Sequence, residues 1–218
     1  PAPPAWLSQP APPEPRPARP LAPSRADRAA VTAAGTAGPL DEAAVRFGRH
    51  AHRLLQLLAG LDPPDRDRAL DRYVATIARD LPGDARDRLA RQVRAVLEAP
   101  GLAALFAPGS RAEVAIVGRL GEVVVSGQVD RLVVTPDAVL VVDFKTGRAP
   151  AAAEDAVPVA YLRQMALYRD LLRAIHPDRP VRTALVWTET LALQVLPDAL
   201  LDRHAPPVAA LTDEERHL

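Results

Sequence analysis

The chain has 218 residues, 48% of them apolar, and its 27 acidic and 27 basic residues leave a formal net charge of zero. It contains no cysteine, which excludes disulfides, cysteine-ligated zinc and cysteine-ligated iron–sulfur clusters. No apolar run is long enough to span a bilayer and no signal-peptide pattern opens the sequence, so a cytoplasmic protein without a membrane partner is expected.

Residues 1–39 are rich in proline and alanine, a composition that blocks helix and sheet and favours an extended linker or tether. Trp6-Leu7 is the expected anchor within it. The chain opens on Pro1 rather than methionine, so a piece of a longer protein is expected. Leu40 to Leu61 reads as a helix with Asp41 as N-cap and Ala44, Gly48, Ala51, Leu55 and Leu58 on one small, apolar face. Pro63-Pro64 ends it. Residues 65–81 and 84–98 read as two further amphipathic helices, split by Pro82-Gly83.

The period then changes to that of strands. Arg111 to Arg119 is one, and Glu122 to Thr135 is a second, in which Gly127 marks a bulge or a close approach. Pro136-Asp137 makes a turn, and Ala138 to Lys145 reads as a buried strand. Glu154 to Ile175 reads as a helix, Val181 to Thr188 and Leu191 to Leu196 as strands, and 205–218 as a polar tail. A folded unit over 40–204 follows.

Of the 27 basic residues 26 are arginine; the one lysine is Lys145, in Val141-Val142-Asp143-Phe144-Lys145-Thr146-Gly147. Lysine is a compact amine with a movable pKa, whereas arginine is a permanently charged fork, so a lone lysine here points to a job that needs an amine. Strand alternation puts Asp143 and Lys145 on one face. The Pro136-Asp137 turn sets Asp130 roughly opposite Asp143. Two adjacent carboxylates call for a cation between them, and oxygen ligands select Mg²⁺ or Mn²⁺. Gln164 and Tyr168, four apart, share a helix face; the plainer alternative is a surface glutamine and a core-edge tyrosine. His52 lies beside the apolar face of the first helix, where a core histidine is the commoner occupant, and His50 points elsewhere, toward the surface. Glu113 reads either as a further ligand or as an exposed edge-strand glutamate.

Gly127-Gln128-Val129-Asp130-Arg131-Leu132, then Val142-Asp143-Phe144-Lys145-Thr146-Gly147, then Gln164-Met165-Ala166-Leu167-Tyr168, preceded by Gly48 and His52, resemble in order the motifs of RecB-type PD-(D/E)XK nucleases. Within that branch the wording of the motifs and the proline-rich leader most resemble the C-terminal nuclease domain of AddA subunits of AddAB helicase–nucleases. The resemblance implies an α/β, restriction-endonuclease-like mixed sheet flanked by helices. It implies His52, Asp130, Asp143 and the Phe144 carbonyl as ligands of Mg²⁺ or Mn²⁺. Lys145 would be the catalytic lysine, and Gln164 and Tyr168 would organise the site or touch the DNA. It further implies an Mg²⁺-dependent deoxyribonuclease, of exonuclease type, that acts on single strands during double-strand-break repair. Its partners would be N-terminal helicase domains of the same polypeptide and an AddB-like subunit. The chain carries no phosphate-binding helicase loop, so ATP would belong to that helicase part. The alternatives are a non-catalytic DNA-binding or docking module of the same fold, and a stand-alone RecB-like nuclease.

Overall fold

The computed structural model describes residues 20–23, 42–121, 123–150 and 157–206. Trp6-Leu7, the Asp41 cap, Glu122, the expected helix start at Glu154 and most of the tail lie outside the described residues. Helix α1 spans Glu42–Leu58, α2 Pro63–Thr76 and α3 Gly83–Glu98. Strands β1 (Ser110–Leu120), β2 (Val123–Val134) and β3 (Val139–Lys145) follow, then α4 (Val159–Ile175), β4 (Val181–Trp187), β5 (Ala192–Leu196) and α5 (Asp198–His204). The helix expected over 65–81 is broken: after Thr76 the chain tightens into a 3₁₀ turn at Ala78–Asp80. A second 3₁₀ segment, Pro100–Phe106, and α5 were not anticipated from the sequence. Among the described residues, no helix is long and apolar enough to cross a membrane.

The strands form one sheet in the order β1-β2-β3-β4-β5, parallel between β3 and β4 and antiparallel elsewhere. The β3–α4–β4 crossover supplies the parallel pair. Alternation along β3 and β4 divides the interior in two. Val139, Val141, Val181 and Leu185 pack under α4 and α5, while Val142, Phe144, Ala184 and Val186 pack under α1, α2 and α3. This is a restriction-endonuclease-like α/β sandwich, as expected.

On α1 the buried face runs through Phe47, His50, Ala51, Leu54, Leu55 and Leu58, and Ala44 is exposed. The expected face was therefore rotated, because the large side chains Phe47 and Leu54 win the interior over the small Ala44 and Gly48. His50, expected at the surface, is buried: Nε2 lies 2.7 Å from Asp80 Oδ1 and Nδ1 lies 3.0 Å from Tyr73 Oη. Both ring nitrogens are satisfied, so the burial is tolerated and α1 is pinned to α2 and the turn after it.

A second anchor also went unseen. Leu21 is buried in the core on the α4 side and bridges Val125, with backbone hydrogen bonds Leu21 N–H to Val124 O and Ser126 N–H to Leu21 O at 2.8 and 2.9 Å. The leader thus adds one parallel bridge to β2, so Trp6-Leu7 is not its sole candidate for docking.

Candidate active site

The site grows from the register of three strands. Arg131 pairs with Val142, and one step further the same register sets Asp130 opposite Asp143. Ala112 pairs with Arg131 and Val114 with Val129, which sets Glu113 opposite Asp130. Three carboxylates thus lie in a row across β1, β2 and β3. The row coincides with an irregularity. Glu113 has φ 52, the left-handed region that non-glycine residues avoid. On β2, Val129 and Leu132 enter the same core although they are three apart, so the alternation slips by one between them. Backbone strain of this kind gathers at functional sites.

Over the row lies α1. His52 Nδ1 is 3.2 Å from Asp130 Oδ1, and the other oxygen of Asp130 accepts the Phe144 backbone N–H at 2.7 Å. Ligand atoms of His52, Glu113 and Asp130 all lie within 4.8 Å of one another. One imidazole and two carboxylates, close enough to share one ion, fit a hard divalent cation. The electrostatics agree. Burial, reinforced by the Asp130 charge, pushes the Glu113 carboxyl up. Burial would lower the His52 pKa, but the Asp130 charge and hydrogen bond, with Asp143 beyond, raise it to about 9. His52 as imidazolium supplies the positive charge that the carboxylates require.

Asp143, 4% exposed, is turned to Lys145 instead: Oδ2 lies 2.9 Å from Nζ. Burial pushes the Asp143 carboxyl up, against the pull of Lys145. Lys145 Nζ also donates to Gln164 Oε1 at 3.2 Å and sits 3.7 Å above the centre of the Tyr161 ring. From Gln164 the chain of donors continues: Nε2 to Tyr168 Oη at 3.5 Å, and Tyr168 Oη to the Gln128 carbonyl at 3.0 Å. Every acceptor in that chain is matched to a donor, which fixes the amide orientation of Gln164 and the hydroxyl of Tyr168. Both residues are buried, so the surface reading of Gln164 fails. Tyr168 fits because β2 has no side chain beneath it: a Cβ on Gly127 would stand 2.6 Å from Tyr168 Cε1.

The structure thus brings His52, Asp130, Asp143, Lys145 and Gln164 to one cleft of about 650 Å³, with Phe144 in its wall and Tyr168 behind it. Phe144 takes part through its backbone N–H, while its ring stacks on Phe106 and meets His52 edge-on. Tyr161 and Arg49 also line the cleft and were not singled out from sequence. Tyr161 carries a detectable signal, standing one helical turn before Gln164 on the same face.

Among curated proteins none matches the chain. Among solved structures, that of SSO0001 is similar to it at 16% identity and a TM-score of 0.32, over 75% of this chain and 76% of that one. The family model of the PD-(D/E)XK nuclease superfamily matches residues 26–214, from the leader through α5, and the chain belongs to that superfamily.

Proposed function

We propose that the chain is the nuclease domain of an AddA-like helicase–nuclease, hydrolysing phosphodiester bonds in single-stranded DNA during double-strand-break repair in the cytoplasm. In this reading it is an exonuclease that works with Mg²⁺ or Mn²⁺, beside helicase domains of the same polypeptide and an AddB-like subunit. The observation that carries the catalytic part is Lys145, whose ammonium is held at once by Asp143, Gln164 and the Tyr161 face beside the His52–Glu113–Asp130 cluster. A module that only held DNA would have no need of an amine fixed from three sides. The helicase context rests on the motif wording and the leader.

His52, Glu113 and Asp130 would hold the cation, with Asp143 at its edge. Once bound, it would supply Lewis-acid charge to a phosphoryl oxygen. The protein's own contributions are positional. Lys145 donates to the phosphoryl oxygens as negative charge develops on them, and its fixed geometry makes that stabilisation pre-organised. Gln164, itself held by Tyr168, keeps Nζ aimed. Arg49 and Arg53 on α1 face the cleft and offer charge to neighbouring phosphates.

The test is cleavage of labelled single-stranded DNA with Mg²⁺, Mn²⁺ or EDTA, beside Lys145→Ala. Metal-dependent cleavage that the variant lacks is the expected result. Equal cleavage by the variant would refute the site, and failure of the folded wild type to cleave would favour a docking module.

A further inference from the structure

A second groove continues the cleft past the catalytic strand. Its volume is about 570 Å³, and it shares Thr146 and Gly147 with the first. The turn that follows Lys145 therefore forms a floor common to both. Helix α3 makes one wall with Arg88, Arg91 and Gln92, and the β4–β5 turn makes the other with Thr188, Glu189 and Leu191.

Specific contacts make this a built surface. Gln92 Nε2 donates to Thr188 Oγ1 at 2.7 Å and to the Thr146 carbonyl at 3.3 Å, tying α3 to both loops. Thr188 in turn donates its backbone N–H to the Lys145 carbonyl at 2.9 Å, so the wall of the groove is hydrogen-bonded to the catalytic residue's own backbone. The Arg88 guanidinium lies 4.8 Å over the Phe47 ring, which braces a side chain that would otherwise roam in solvent. Leu191 presents an exposed apolar side chain from the last position of the β4–β5 turn, where the hairpin sets φ at 56. The acidic member of the groove, Glu189, accepts from Arg148 at 3.0 and 3.3 Å and so is partly neutralised.

We infer that this groove holds the nucleic-acid strand that flanks the scissile phosphate, with Arg88 and Arg91 on its phosphates and Leu191 against a base. The inference rests on the nuclease reading of the adjoining cleft. Continuity favours a strand over other occupants: a polymer cut above Thr146-Gly147 must leave along some surface, and this one begins there. Charge agrees as well. The chain is neutral overall, yet Arg49 and Arg53 in the cleft and Arg88 and Arg91 in the groove line one path. Single strands are held by just such a pairing of backbone cations with apolar or aromatic contacts to bases.

The experiment compares kcat/KM on single strands of roughly 4 and roughly 16 nucleotides, the span over which strand-binding grooves fill. It uses the wild type, Arg88→Ala/Arg91→Ala, and Arg91→Glu, which leaves the Phe47 brace in place. The wild type is expected to prefer the long strand, and the variants to lose about tenfold of that preference, equivalent to about 1.4 kcal/mol. The slope of log affinity against log salt, read by anisotropy on a labelled strand with Lys145→Ala as the uncleaving background, should become shallower by about 1.4 for two lost phosphate contacts. An unchanged length preference and salt slope in folded variants would overturn the groove, as would a wild type that binds no strand at low salt. If the wild type binds but cleaves nothing with Mn²⁺, the nuclease reading fails, and the salt slopes still decide the groove.

Discussion

Lys145 Nζ stands 3.7 Å above the centre of the Tyr161 ring, while Tyr161 itself leans on Trp187 with 6.2 Å between ring centres. The lysine is thus held by a ring on its apolar side and by Asp143 and Gln164 on its polar side. A cation over an aromatic face gains about 2 kcal/mol when desolvated. Tyr161→Leu should therefore lower kcat about tenfold or more, with a smaller effect on KM, because the ring acts through Lys145. Tyr161→Phe keeps the face and should restore most of the rate. Equal losses for Leu and Phe, in single-turnover assays, would mean that the phenol hydroxyl and not the ring matters.

Gly127 and Tyr168 are coupled by space. Any Cβ at 127 meets the ring edge at 2.6 Å, and the ring cannot retreat without giving up the Tyr168 Oη bond to Gln128. Gly127→Ala should cost about 1–3 kcal/mol in urea unfolding, the usual range for overpacking a filled interior. It should also lower activity, since the displaced phenol no longer fixes Gln164. A stable variant with full activity would show that the Gln164–Tyr168 link is dispensable.

Much of this site was legible because its parts obey local rules. Asp143 and Lys145 share a face by alternation, Asp130 lies opposite Asp143 because one short turn sets the register, and Gly127 marks a bulge or a close approach, although only the structure shows that Tyr168 makes the approach. Other parts follow from packing between elements distant in sequence. His50 is buried because Asp80 and Tyr73, from a helix and a turn 23 to 30 residues away, satisfy both its nitrogens. Leu21 docks because β2 extends past the last β3 pair and leaves an edge for it. Glu113 reads from sequence either as a ligand or as an edge-strand glutamate; it stands beside His52 and Asp130 at a left-handed backbone angle, and glutamate in a strand gives no sign of that angle.

That angle supplies a test with opposed readouts. At φ 52 a glycine is relaxed and a glutamate is strained. Glu113→Gly should therefore leave the protein at least as stable, gaining about 1 kcal/mol from the released strain. It should also weaken Mn²⁺ binding about tenfold or more, since a ligand is lost. Glu113→Gln separates the two effects, keeping the strain and losing the charge. If neither variant changes Mn²⁺ affinity in calorimetry, Glu113 is not a ligand and its strain serves another purpose.

His52 makes metal binding a proton exchange. With its pKa at about 9, the imidazole is protonated at neutral pH and must lose that proton before it can ligate. Apparent Mn²⁺ affinity should therefore rise with pH by about tenfold per unit below pH 9, and binding at pH 7.5 should release about one proton. Calorimetry in buffers of different ionisation enthalpy measures that number. The sign for folding is the reverse. A pKa raised from 6.5 to about 9 contributes stability below pH 6.5 that disappears as pH climbs to 9. Asp143, also raised, acts in the same direction at lower pH. In EDTA the melting temperature should thus fall between pH 6.5 and 9, and His52→Gln should flatten that decline. Proton release unchanged in His52→Gln would remove His52 from the metal cluster and leave its 3.2 Å contact with Asp130 as a structural ion pair, whereas a melting temperature that rises over this range would overturn the ion pair itself.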